Sequence, residues 1–163
     1  MDVISHGLWG GMAFGRKSKK IFLIAFLFGI IPDIIAFAWP FLRVLFGGTF
    51  QHYPTSDAMP SYILSMYSFT HSLVIALIVF AVAFLIWKKK SLPILAWPLH
   101  ILFDIPTHDL NFFPTPYLWP FQTPFFDGVG WSNPWIFFTN WIILIILLGV
   151  FYFKKRSLSS RIK

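Results

Sequence analysis

The stretch LVIALIVFAVAFLIW, residues 73–87, is an unbroken apolar run that ends directly on Lys88, Lys89 and Lys90. A run of this kind belongs in a core or in a bilayer, and lysines at one end mark where it meets water. Composition decides between the two. Of 163 residues, 57% are hydrophobic, 21% are aromatic and 12% are charged, and the mean hydropathy is +0.71. A soluble domain carries about 25% charged residues. That balance excludes a disordered chain, and the absence of cysteine excludes a disulfide scaffold. The length suits a single domain over 1–163, and the hydropathy makes it an integral membrane protein.

Working outward from residues 73–87, the same apolar segment extends back to about Ser61, giving a span over 61–87. Before it lies a span over 21–46, interrupted by Pro32-Asp33 and Pro40; after it lie a short one over 92–107, with Pro93, Pro98 and Pro106, and a last one over 134–153. The expected fold is all-α: a polytopic helix bundle of four spanning helices plus a short glycine-rich helix over 1–15. In that helix Gly7, Gly11 and Gly15 recur every four residues, the stripe that lets membrane helices approach closely. It lacks a basic start, so it reads as a buried helix rather than a signal peptide, entering from the cytoplasmic side or crossing as a fifth span.

The net charge of +7 raises the question of a nucleic-acid partner, and the placement of the charges answers it. All 13 basic residues except Arg43 fall in three clusters, over 16–20, 88–90 and 154–163. Four crossings place all three clusters on one side, in accord with the positive-inside rule. The connecting segments 47–60 and 107–133 contain no Lys or Arg. The expected location is therefore the plasma (inner) membrane, multi-pass with the C-terminus cytoplasmic, and no nucleic acid is expected as a partner. Arg43, alone on the outer side, either holds a phosphate or snorkels to the headgroups. The Pro- and aromatic-rich loop 107–133 reads as an aromatic belt, as a cap over a pocket, or as both.

Ionisable residues occur where the hydropathy should exclude them. Glu is absent, and there are six Asp and five His. Asp33, His71, His100 and Asp104 nevertheless fall inside apolar spans, with His6 in the glycine-rich segment and His108 just past the third span. Measured along helices from the nearest basic cluster, these six lie about 15–27 Å deep. A carboxylate in hydrocarbon costs several kcal/mol, so such groups pair, bind an ion or line a polar cavity. His100, Asp104 and His108 are spaced i, i+4, i+8 and share a helix face unless Pro106 bends the turn. Imidazoles and carboxylates converging at one depth suit Zn²⁺ or a similar divalent ion. Two ions held by only two carboxylates leave surplus positive charge, which attracts an anionic group such as a phosphoester.

Neighbouring polar residues are candidates for supporting parts. Asp2, one turn before His6, is an extra ligand, a partner of one, or a solvated terminus. Thr70, Tyr67 and Ser68 flank or precede His71. Ser72 is a candidate nucleophile, although a serine in a membrane helix commonly bonds its own backbone. His52 and Asp57 fall in an outer loop and read as solvated.

His6 in a glycine-rich helix, Pro32-Asp33, Thr70-His71-Ser72, His100-xxx-Asp104-xxx-His108 and Gly130-Trp131 together resemble the membrane-bound metal-dependent hydrolases, also described as LexA-binding, inner-membrane-associated hydrolases. The resemblance covers about residues 1–131. It departs from that family at Met66-Tyr67-Ser68, where many relatives carry His-Arg-Gly, and at Ile35, where many have a second Asp. The residue order is also loosely similar to zinc-dependent phospholipase C. What the resemblance implies is metal-dependent hydrolysis at a membrane: His6, Asp33, His71, His100, Asp104 and His108 as ligands of one or two ions, most simply Zn²⁺, and a lipid or lipid-linked phosphoester as substrate. Asp33, Asp104 and Ser72 are the candidate catalytic groups. The alternatives are an ion or metal transporter, or a structural membrane subunit. A transporter needs polar groups leading to both faces, and the apolar runs 73–87 and 142–153 carry no ionisable residue.

Overall fold

A computed structural model describes residues 1–49, 59–122 and 124–160. His52 and Asp57 lie outside the described residues. Among those described, the chain is all-α: α1 (Val3–Phe14), α2 (Lys19–Ala36), α3 (Ala38–Leu45), α4 (Ser61–Thr70), α5 (Leu73–Trp87), a 3-10 helix (Lys88–Leu95), α6 (Ala96–Thr107) and α7 (Pro134–Ser160).

The expected four crossings are not what the helices show. One helix, α7, is long and apolar enough to cross a membrane, over Pro134–Phe151. Two further crossings arise only if each bent pair is counted as one: α2 with α3, bent by 80°, and α4 with the run that starts at Leu73, bent by 49°. The segment over 21–46 is thus two helices, and the third expected span is cut to the twelve residues of α6, about 18 Å of rise.

The break between α4 and α5 has a local cause. At residues 70–72 the Thr70-His71-Ser72 motif is a helix stop followed at once by a helix start. His71 N–H closes α4 on Tyr67 O at 2.8 Å, and Ser72 takes an extended conformation (φ −91°, ψ 120°) as the N-cap of α5. Its hydroxyl accepts from Ile75 N–H at 3.3 Å, the bond that a serine N-cap supplies to an otherwise unpaired donor. Within α2, Pro32 has no N–H to offer the carbonyl one turn earlier.

Helices surrounded by lipid gain nothing from hiding apolar surface from one another, so close packing and hydrogen bonds must hold them together. α1 crosses α2 on small residues. A Cβ on Gly29 would meet His6 O at 2.6 Å, and one on Gly10 would meet Ala25 O at 2.8 Å and Ala96 Cβ at 2.7 Å. α7 is tied to α1 by a chain of polar bonds. Trp9 Nε1 donates to Asn140 Oδ1 (2.8 Å), Asn140 Nδ2 to Ser5 Oγ (2.7 Å), Ser5 Oγ to Asp2 Oδ2 (2.6 Å) and Trp141 Nε1 to Asp2 Oδ2 (3.2 Å). Asp2 also caps α1 by accepting from Ser5 N–H at 3.0 Å. It is an anchor between helices rather than a solvated terminus.

The loop after α6 packs back on the bundle. Its 128–131 segment covers the end of α6, with Gly128 N–H on His108 O (3.0 Å), Val129 N–H on Pro106 O (3.0 Å) and Trp131 N–H on Thr107 O (2.8 Å). A Cβ on Gly128 would meet Pro106 O at 2.4 Å, so only glycine fits this crossing. Farther along, Leu73 N–H donates to Tyr117 O and Tyr67 Oη to Phe113 O, closing the loop over the α4–α5 break. These bonds fasten the loop to the helices at both of its ends.

Candidate metal centre

Three helices or helix ends contribute one group each to a buried cluster, and α6 contributes two. Asp33 follows Pro32 in α2, His71 caps α4, His6 sits in the middle of α1, and His100 and Asp104 lie one turn apart on α6. Asp33, His71, His100 and Asp104 are all buried, and each offers one ligand atom within 4.8 Å of the other three.

Five of the six distances inside this set can be compared with the edges of a metal site. His71 Nε2 stands 3.1 Å from His100 Nε2, 3.4 Å from Asp33 Oδ1 and 3.5 Å from Asp104 Oδ2. His100 Nε2 stands 3.0 Å from Asp104 Oδ2 and 3.7 Å from Asp33 Oδ1. A tetrahedral ion with ligands at about 2.0–2.1 Å has ligand–ligand edges of about 3.3–3.4 Å. The observed separations bracket that value.

Proton placement points the same way. His71 Nδ1 lies 3.2 Å from Tyr67 O and 3.0 Å from Thr70 Oγ1, and the Thr70 hydroxyl already donates to Met66 O at 2.9 Å. His100 Nδ1 lies 2.7 Å from Gly29 O. Carbonyl oxygens only accept, so both Nδ1 atoms carry hydrogen, and each ring turns its Nε2 into the cluster. Two such nitrogens facing two carboxylates can share a metal ion. A backbone carbonyl holding the far nitrogen of a histidine is also the usual outer support of a metal ligand. The rings are fixed by stacking too: Tyr67 lies on His71 with centroids 3.9 Å apart, and His6 lies on His100 at 3.7 Å.

Asp104 divides its two oxygens. Oδ2 faces His71 and His100, whereas Oδ1 meets the Met1 amine at 2.7 Å, His6 Nε2 at 2.9 Å and His108 Nδ1 at 3.5 Å. His6 is fully buried, and neither of its ring nitrogens has a hydrogen-bond partner. Its Nε2 is close enough to Asp104 for an ion pair but is not directed as a hydrogen bond. Its buried Nδ1, with no partner among the described residues, costs stability unless something is bound to it.

Not every expected group joins the cluster. α6 ends at Thr107, and His108 is extended (φ −121°, ψ 147°), so the shared helix face expected of His100, Asp104 and His108 holds only for the first two. His108 turns Nδ1 back to donate to Asp104 O at 3.1 Å. The Ser72 hydroxyl donates to Trp119 O at 2.5 Å while capping α5. Thr70 and Tyr67 do support His71, as their positions suggested. Two supports escaped the sequence reading: Gly29, through its carbonyl, and Trp97, whose Nε1 donates to Thr70 O at 2.7 Å. Gly29 leaves one faint signal, a residue without a side chain one turn before Asp33.

No family model, curated protein or solved structure matches the chain. What the molecule shows of the resemblance drawn from its motifs is a buried Asp–His cluster, suited to a metal ion, in a helical protein.

Proposed function

We propose that the protein is a membrane-embedded metal-dependent hydrolase that cleaves a lipid-type phosphoester from the face opposite its basic clusters. The observation that carries this reading is the convergence of two imidazole Nε2 atoms and two carboxylates in one buried knot. Asp33, His71, His100 and Asp104 hold the ion, and borderline imidazole and carboxylate donors in a near-tetrahedral set favour zinc. His6 and His108, on the Oδ1 side of Asp104, are the donors for a second ion, which the unpartnered His6 nitrogens support. A divalent ion bound there supplies a water of lowered pKa and charge for a phosphoryl oxygen.

The remaining chemistry belongs to the chain. The Asp33 side chain is 13% exposed, whereas those of His71, His100 and Asp104 are at most 1% exposed, so water and substrate reach the cluster past Asp33. Asp33 is accordingly the group to receive the proton of the attacking water, and Asp104 spans the two halves of the site. Gly29 O and Thr70 Oγ1 keep the imidazoles in the ligating tautomer. The apolar surroundings exclude bulk water and strengthen each charge interaction. The partner is a membrane lipid or lipid-linked substrate, and the location is the inner membrane with the basic clusters and the C-terminus cytoplasmic.

The test uses protein purified in detergent without chelator, together with a His100→Ala, Asp104→Ala double variant. Metal analysis is expected to find at least about one divalent ion per chain in the wild type and almost none in the variant. Hydrolysis of bis(4-nitrophenyl) phosphate is expected to follow the metal. Equal, substoichiometric metal in both proteins overturns the reading.

A further inference from the structure

The end of the bundle where α1 passes into α2 takes no part in the metal centre. Gly15 closes α1, Ser18 caps α2, and the first residues of α2 are Lys19 and Lys20. The fold brings a second basic segment to the same end. α1 and α6 run antiparallel: the Met1 amine meets Asp104, His6 stacks on His100, and a Cβ on Gly10 would meet Ala96 Cβ at 2.7 Å. From that last contact the chain runs from 10 on to Arg16 along α1, and from 96 back to Lys90 along the 3-10 helix. Those steps are about 9 Å and about 12 Å. The 3-10 helix touches both α1 and α2 and buries Ser91, Pro93 and Ile94, while Lys88, Lys89 and Lys90 at its start are exposed. Arg16, Lys17, Lys19 and Lys20 are exposed too. Two clusters that are 68 residues apart in the chain, Lys20 to Lys88, thus form one surface.

Charge and apolarity together give this surface a partner. The sequence has no Glu, and its six Asp stand at 2, 33, 57, 104, 109 and 127, so none falls in 3–32 or 58–103. Asp33, the next acid after Lys20, is about 20 Å farther along α2. The surface is therefore strongly cationic, and an anion is its complement. It also adjoins lipid-type surface directly: Leu85 is 71% exposed and Ile86 64%, and Trp87 stands between them and the lysines. A tryptophan between an apolar helix and a run of lysines sits where headgroups meet chains. A nucleic acid or an acidic protein would satisfy the charge but not the adjoining apolar face.

We propose that this end of the bundle binds an anionic phospholipid, its phosphate held jointly by the 16–20 and 88–90 clusters and its chains against Leu85 and Ile86. The inference rests on the membrane reading of the chain and stands or falls independently of hydrolysis.

The experiment is native mass spectrometry of the full chain released from detergent with dioleoylphosphatidylglycerol or dioleoylphosphatidylcholine. The wild type is expected to retain the anionic lipid about tenfold better than the zwitterionic one. That preference is expected to fall several-fold as ammonium acetate is raised from about 50 mM to about 500 mM, because exposed charges are screened. Two triple variants, Lys17→Gln with Lys19→Gln and Lys20→Gln, and Lys88→Gln with Lys89→Gln and Lys90→Gln, are each expected to lose most of the preference at wild-type metal content. Equal retention of the two lipids by the wild type overturns the proposal, as does an undiminished preference in either variant. Should the variants fail to purify, the salt series on the wild type carries the test, and a preference indifferent to salt overturns it. An equal concentration of sn-glycerol 3-phosphate is expected to leave phosphatidylglycerol bound; displacement of the lipid would assign the surface to soluble anions and overturn the lipid as its occupant.

Discussion

α6 and α7 are both apolar helices, yet they solve opposite problems. α6 is twelve residues long and buries Ala96, Trp97, Pro98, His100, Ile101 and Asp104. α7 has an 18-residue apolar window of which only 11% is buried, and Leu144 is its fully enclosed side chain. One helix is too short to cross and supplies two groups of the buried cluster; the other is long enough to cross and supplies none of the four. Where hydropathy is strongest the side chains face outward and are interchangeable, and where it is interrupted by His, Asp and Pro each position is fixed by several contacts. The same contrast separates α1, locked to α2 through glycines and to α7 through Asp2, Ser5 and Asn140, from α5, whose Leu85 and Ile86 are mostly exposed.

This contrast predicts a gradient of mutational cost. The largest effect is expected at Asp104, the one carboxylate in contact with both halves of the site. Asp104→Asn leaves the Met1 amine and His6 without their carboxylate, and His71 and His100 with Asp33 alone, a loss of about 3–5 kcal/mol for a broken buried pair. Thermal unfolding in detergent together with metal analysis reads it, and an unchanged midpoint with full metal would break the contrast. Gly29→Ala comes next. Its Cβ would strike His6 O at 2.6 Å and displace the carbonyl that holds His100. A cost of about 1–3 kcal/mol is expected for overpacking, with metal affinity falling about tenfold or more through the disturbed histidine support. Metal titration of the purified variant checks this, and wild-type affinity would contradict it.

Ser72→Ala sharpens the comparison at an intermediate level. Removing the N-cap hydroxyl of α5 is expected to cost about 1 kcal/mol, while metal content and phosphodiester turnover persist. Complete loss of turnover with metal retained would place Ser72 in the reaction. At the far end stands Ile145→Ala on the outward face of α7, where the side chain is 64% exposed. A change within about 0.5 kcal/mol is expected there, and unfolding scans of the two variants side by side measure the gap.

Much of the site was legible because hydropathy makes ionisable residues conspicuous. Asp33, His71, His100 and Asp104 stand out in apolar surroundings, and estimated helical depth alone put them at one level. The i, i+4 spacing of His100 and Asp104 survives because α6 is regular between them. The position of His108 was not legible, since Pro106 and the returning 128–131 segment end the helix through contacts distant in sequence. The 80° turn between α2 and α3 was hidden for a similar reason: the apolar pattern continues across residue 37 while the backbone does not. Backbone carbonyl supports such as Gly29 O leave almost no trace in side-chain identity. The four crossings are not shown, because hydropathy registers apolar length and not helix continuity: 61–87 read as one span, and Thr70-His71-Ser72 bends it.

The central claim is that Asp33, His71, His100 and Asp104 enclose a cation, and an anomalous difference map from crystals of the zinc-loaded protein tests it most directly. The account predicts a strong peak about 2.0–2.2 Å from His71 Nε2, His100 Nε2 and an oxygen of each aspartate. A map with no peak among these four side chains, or with the two imidazoles turned away from each other, would contradict it.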